Sequence, residues 1–190
     1  GRHREGGADR GMTQMGAVEF SLQADAMLAD QREVLSYWTS LKRGGALPCR
    51  GDFRPGALVR RLPTMSLVDV GPEDGRFRFR LAGTGLRDAF GEELTGRCLD
   101  EIAFGPQLEE WQAIYAHVAA AAAPASGFMP LLWRDRPGVV QAWLRLPFAD
   151  ADGRVNMVLG YDRFLPLERS AQRTLAARQP SWSAGAAAFA

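Results

Sequence analysis

The chain has 190 residues, 46% hydrophobic and 24% charged, with a formal net charge of +1. That length and mix give one ordinary domain with its own core plus short extensions. They exclude a dedicated nucleic-acid binder, which would be strongly basic, and no apolar run approaches the roughly 20 residues of a membrane-spanning helix.

The N-terminus shows no secretory apolar region, and Cys49 and Cys98 lie in no pairing pattern. The expectation is a cytoplasmic protein with free thiols. Lys42 is the only lysine among the 23 basic residues. With so much alanine and glycine, this reads as the codon bias of a GC-rich bacterial genome, so an arginine cluster need not mean chosen chemistry.

Residues 1–19 carry glycine and charge with few apolar groups and are expected to be disordered, with Met12 or Met15 as the natural start. From Phe20 the pattern changes. Phe20, Ala24, Met27, Gln31, Val34, Trp38 and Leu41 follow a 4-3 spacing, which puts them on one stripe of a helix. Residues 20–45 are therefore expected to form a helical cap or dimerisation segment. Asp30-x-x-Glu33 resembles a capping box, so two helices are expected to meet near Asp30, and Gly44-Gly45 ends the segment.

A loop with a short helix between Pro55 and Pro63 leads to a strand over Ser66–Val70, closed by a turn sequence from Gly71 to Gly75. Phe77, Phe79 and Leu81 alternate with Arg76, Arg78 and Arg80, the period of a strand with one buried face. Gly83 and Gly85 take the chain off the sheet, by positive φ angles on this reading. Short helical pieces separated by Gly91 and Gly96 follow, then a longer helix over Gln107–Ala123 between Pro106 and Pro124. Three strands are expected at Phe128–Trp133, Val139–Phe148 and Val155–Tyr161, joined by turns at Asp135–Gly138 and Asp150–Gly153. Residues 46–165 then form the domain, and 166–190 a mostly disordered tail.

Strands grouped at both ends of a helical middle exclude an alternating βαβ fold. They give an α+β fold with a five-stranded antiparallel sheet. Helices cover one face, and the amphipathic segment, from this chain or a second copy, covers the other.

This layout resembles a PAS domain, and more closely the bacterial PAS-like family of small, often stand-alone proteins of alphaproteobacterial type. The resemblance is carried by W-x-x-L-x-x-G-G-x-L-P at Trp38–Pro48, R-R-L-P-T-M-S-L-V-D-V at Arg60–Val70, and F-R-F-R-L-A-G-T-x-L-x-x-x-F-G-x-E-L-T-G at Phe77–Gly96. It runs over roughly residues 30 to 165, and the last segment is the most specific. It implies a non-catalytic sensory or regulatory protein in signal transduction, working through protein contacts and, where a ligand is present, through the pocket between sheet and helices. The partners it implies are a second copy and a histidine kinase, response regulator or second-messenger enzyme. The competing reading is a protein that binds haem, flavin or a metabolite and turns it over.

The residues add little chemistry of their own. Gly83-x-Gly85 would need a third glycine where Asp88 stands to make a dinucleotide loop. The arginine strip lacks an interleaved aromatic platform for nucleic-acid bases, and charged residues on an edge strand discourage pairing with foreign strands. His117 falls about 120° from the centre of the apolar face of its helix, a poor place for an axial haem ligand. Cys98 lacks the neighbouring asparagine and arginine of a flavin photosensor and reads as a packed small residue. The paired carboxylates are adjacent in sequence and do not face each other. No cofactor and no metal are expected.

The expected pocket is lined by Phe77, Phe79, Leu81, Phe90, Trp111 and Tyr115, with Leu144 and Leu146 from the alternation Val140, Ala142, Leu144, Leu146, Phe148. With no polar anchor legible, a filled core is set ahead of a ligand site. Trp143 then points to the opposite face, where it joins Phe20, Met27, Val34, Trp38 and Leu41 as a dimer or partner surface.

Overall fold

The computed structural model describes residues 27–71, 76–131 and 138–166. Its helices are Ala29–Ser40 (α1), Thr84–Phe90 (α2) and Leu108–Ala121 (α3). Its strands are Met65–Val70 (β1), Phe77–Ala82 (β2), Ala125–Pro130 (β3), Val139–Ala149 (β4) and Val155–Pro166 (β5). All neighbouring strands pair antiparallel, in the order β2-β1-β5-β4-β3. The β1–β2 hairpin and the β3–β4–β5 meander meet where β1 pairs with β5. The fold is the expected α+β arrangement.

The sheet is covered on both faces. On one, Val68, Phe77, Phe79, Trp143 and Val158 pack under α2 and α3, which contribute Leu86, Phe90, Trp111, Ile114, Tyr115 and Val118. On the other, Leu67, Leu144, Leu146, Phe148, Leu159 and Tyr161 pack beneath Val34 and Trp38 of α1, with Phe53 and Leu58 filling the flank. Double coverage is why β4 is buried along nearly its whole length. A fully buried strand carries no polar side from which to read its orientation.

That cost the sequence reading its assignment of β4. Leu144 and Leu146 lie against α1, not in the α2–α3 pocket, while Trp143 lies on the pocket face, 6.3 Å from Trp111 ring to ring. The alternation was right and the side was wrong. Leu81 was misplaced for a different reason. Leu67 pairs with Leu81 but Val68 pairs with Phe79, so Arg80 is an extra residue in β2. This bulge breaks the two-residue period, and Leu81 is left 52% exposed.

The amphipathic cap comes from this chain. Met27, Val34 and Trp38 are buried on its own sheet and Leu41 packs at the edge, while Phe20 lies outside the described residues. Asp30 does not start the helix. The first free backbone N–H, at Leu28, donates instead to Gln31 Oε1 at 3.0 Å. The far end is pinned by Trp38, whose indole N–H donates to the Pro147 carbonyl at 3.0 Å. β3 pairs with β4 only up to Arg145, so Pro147 sits beyond the end of β3. There its missing N–H costs nothing on that side and its carbonyl is free to accept.

Gly83 is needed for closeness rather than for unusual φ. Its φ is −68°, and a Cβ there would stand 2.1 Å from the Leu62 carbonyl oxygen. The outer edge of β2 is not bare. The Phe79 N–H donates to the Arg97 carbonyl at 2.9 Å, and Arg78 reaches the Gly96 carbonyl at 2.8 Å. Arg78 and Arg80 are exposed, as an edge strand's charges should be. The Gly71–Gly75 and Asp135–Gly138 turns fall wholly or partly outside the described residues. Asp150 caps the remaining turn by accepting from the backbone N–H groups of Asp152 and Arg154, both at 3.0 Å.

Candidate functional site

The space between the sheet and α2–α3 has a polar floor. On β4, Gln141, Trp143 and Arg145 alternate onto this face, and Asp162 on β5 stands opposite Trp143. Asp162 is therefore diagonal to both Gln141 and Arg145, within reach of long side chains. Its Oδ1 accepts from Gln141 Nε2 at 2.8 Å and from both terminal nitrogens of Arg145 at 3.0 Å. Both ionic side chains are 3% exposed.

Arg145 needs headroom above the sheet, and Gly160 supplies it. The two residues pair across β4–β5, and a Cβ on Gly160 would lie 3.2 Å from Arg145 Nη1 and 2.3 Å from Ser66 Oγ. The guanidinium then lies 4.9 Å from the Trp111 ring centroid and 5.3 Å from that of Tyr115, a cation held between aromatic faces. Burial pushes the Asp162 carboxyl up, opposed by Arg145 and Gln141. Burial likewise pushes the Tyr115 hydroxyl up, against the nearby Arg145 charge. For Arg145 burial opposes the charge, but Asp162 and Tyr115 outweigh it and hold the guanidinium protonated.

The walls are aromatic and aliphatic. Phe79, Leu86, Phe90, Leu94, Leu99, Phe104, Trp111 and Tyr115 surround the polar floor and leave a cavity of about 10 Å³. That is room for about one water molecule. Of the pocket residues expected from the sequence, Phe79, Phe90, Trp111 and Tyr115 line this cavity, and Phe77 packs behind Tyr115 at 5.5 Å. Leu81, Leu144 and Leu146 do not. Gln141, Arg145 and Asp162 are the residues the sequence reading missed. A signal existed: Gln141 and Arg145 are four apart on one strand, and the hairpin turn at 150–153 places an acid diagonally between them.

Other candidate chemistries are occupied. Cys98, Asp100 and Glu101 bring ligand atoms within 4.8 Å of one another. Cys98 is fully buried, however, and Arg76 Nη2 already binds both carboxylates, at 2.8 Å and 3.1 Å. His117 is half-buried on the flank of α3, outside the cavity lining.

A five-stranded antiparallel sheet with a pocket under a helical wall is the PAS architecture. The family model described as "PAS domain" matches residues 27–162. This chain belongs to the PAS domain family. Among solved structures it is similar to a light-oxygen-voltage domain studied with a flavin analogue, at 16% identity, covering 64% of this chain and 90% of that one with a TM-score of 0.48. It is also similar to the PAS domain of BvgS from Bordetella pertussis, at 15% identity, covering 65% and 96% with a TM-score of 0.45. A sensory box sensor histidine kinase from Vibrio cholerae matches at 11% identity, covering 73% and 99% with a TM-score of 0.42. No curated protein matches the chain.

Proposed function

We propose that this PAS domain is a non-catalytic sensory and regulatory module of bacterial signal transduction, in which the state of the polar pocket is passed to the α1 cap. One observation carries the reading. Three consecutive residues of β5 serve both faces of the sheet: Asp162 holds the pocket's Arg145 and Gln141, while Tyr161 and Arg163 hold the cap. Tyr161 donates its hydroxyl to Asp30 Oδ2 at 3.0 Å, and Arg163 binds the same oxygen. Arg61 approaches it at 3.9 Å and also bonds Glu33, tying the next turn of α1.

Asp30 is therefore the clasp of the cap, and β5 is common to clasp and pocket. A bound molecule moves the cap only to the extent that it favours one arrangement of β5 over another. The output is a protein contact. The docking partners we propose are a histidine kinase, a response regulator or a second-messenger enzyme, met in the cytoplasm. Among the described residues no helix is long and apolar enough to cross a membrane. A homodimer through Val34 and Trp38 would need α1 exchanged between copies, because both side chains are spent on the sheet. The cap segment, residues 20–45, and the domain, residues 46–165, act as one signalling unit in this reading.

Hydrogen exchange over residues 29–40 and capture of partners by the full chain test this together. Asp30→Asn weakens the clasp without touching the pocket. It should raise exchange across α1 and change the yield of a captured signalling enzyme at least several-fold. A cap that exchanges as before, or partner capture indifferent to a loosened cap, would refute the proposal.

A further inference from the structure

We infer that the pocket accepts a small, uncharged, planar ligand whose head both accepts and donates hydrogen bonds, a molecule of the amide or lactam class. The inference rests on the reading of this pocket as the input site. Three buried polar atoms on residues lining the cavity have no hydrogen-bond partner among the described residues: Trp111 Nε1, Arg145 Nε and Gln141 Oε1. All three side chains belong to residues at most 3% exposed. Polar atoms removed from water are nearly always paired, so this set is incomplete without an occupant.

The polarity of the set defines the occupant. Two are N–H donors and one is a carbonyl acceptor, so the complement is a group with two acceptor positions and one donor. One water meets that description, and the cavity of about 10 Å³ admits one water. A ligand that displaces it must reproduce the same bonds. A carbonyl next to an N–H does so in a single plane, and the surrounding rings of Phe79, Phe90, Phe104 and Tyr115 suit a flat body.

Charge narrows the class further. Arg145 is neutralised by Asp162, which already accepts three N–H bonds on one oxygen. A carboxylate or an ammonium would therefore bring an unpaired charge into a closed, neutral site. A ligand larger than water enters by displacing the wall from Thr84 to Phe104. That wall is built of short helical turns broken at Gly91 and Gly96 and ending at Gly105, all three with left-handed φ. Apart from its backbone bonds with Phe79 of β2, it is tied through Arg76, just before β2, by ion pairs exposed to solvent.

The full chain labelled with ¹⁵N at tryptophan tests this directly, with the Trp111 indole resonance identified from a Trp111→Phe sample. Benzamide, benzoate and benzylamine offer the same ring with a neutral, an anionic and a cationic head. Benzamide should shift the Trp111 indole signal saturably and alter hydrogen exchange between Thr84 and Phe104. The charged analogues should leave both unchanged. Gln141→Met should weaken benzamide about tenfold, the equivalent of one lost hydrogen bond. If benzoate saturates the signal as well as benzamide does, the ligand class is wrong while the pocket stands as an input site. If no probe moves Trp111 in the wild-type chain, the cavity holds only its water and the inference is overturned. The response of α1 to Asp30→Asn then judges the signalling proposal separately.

Discussion

Removing Asp162 while keeping Arg145 should be among the most damaging single changes in this domain. Both side chains are 3% exposed, and Asp162 Oδ1 is the acceptor for two guanidinium nitrogens at 3.0 Å. Asp162→Ala would leave a buried cation without a counter-charge, at a cost of about 3–5 kcal/mol. It would also strand the Gln141 amide, which now donates to the same oxygen at 2.8 Å, for about 1–3 kcal/mol more. Together these approach the whole stability of an ordinary domain, about 5–15 kcal/mol. The double variant Arg145→Met/Asp162→Ala strands the same amide but no charge. Comparing the two cancels the Gln141 contribution. The double variant should be more stable than Asp162→Ala alone by at least about 2 kcal/mol, although it carries one more substitution. Urea unfolding followed by tryptophan fluorescence reads this, since Trp111 and Trp143 pack edge to face in the core on this side of the sheet. If the double variant is no more stable than the single one, Arg145 is not a buried charge dependent on Asp162, and the polar-floor account is wrong.

Gly160→Ala should destabilise by about 1–3 kcal/mol through overpacking, because its Cβ would fall 2.3 Å from Ser66 Oγ. Adding Ser66→Gly should restore part of that loss, and thermal unfolding of the pair would show it. Trp38→Phe should cost about 1–3 kcal/mol by leaving the buried Pro147 carbonyl without its donor, and should raise hydrogen exchange in α1 before the rest of the domain. Leu81→Ser should be neutral within about 0.5 kcal/mol, since its side chain is largely exposed, whereas Phe79→Ala should cost about 3–5 kcal/mol. The pocket wall should also loosen in acid. Asp100 is held below its ordinary value mainly by its bond from Arg76, and Glu101 mainly by the Cys98 backbone N–H, with Arg76 contributing. Carboxyls depressed by folding stabilise fully above the unfolded range near pH 4, and that contribution is lost as pH falls through their folded values. Exchange over residues 99–104 should therefore rise below about pH 4, and Arg76→Ala should flatten that response.

The alternation at residues 76–79, the proline-bounded helix around Trp111 and the apolar stripe through Val34 and Trp38 were all legible in the amino-acid order, because each is a local period matched to one kind of element. Together with the turn at Asp150–Gly153 they suffice for an antiparallel sheet, a helical wall and a cap. Which way β4 faces was not legible. Both sides of that strand are covered, so hydrophobicity has no solvent side to report. The side chains that face the pocket include its two polar ones, Gln141 and Arg145, made tolerable by an aspartate twenty-one residues from Gln141. The bulge at Arg80, which puts Leu81 outside, likewise depends on where β1 ends up paired. Sequence determined the elements and their order. Only the tertiary structure decided which residues share an interior, because Asp162 meets Arg145, and Asp30 meets Tyr161, through strand pairing and sheet packing that no local pattern encodes.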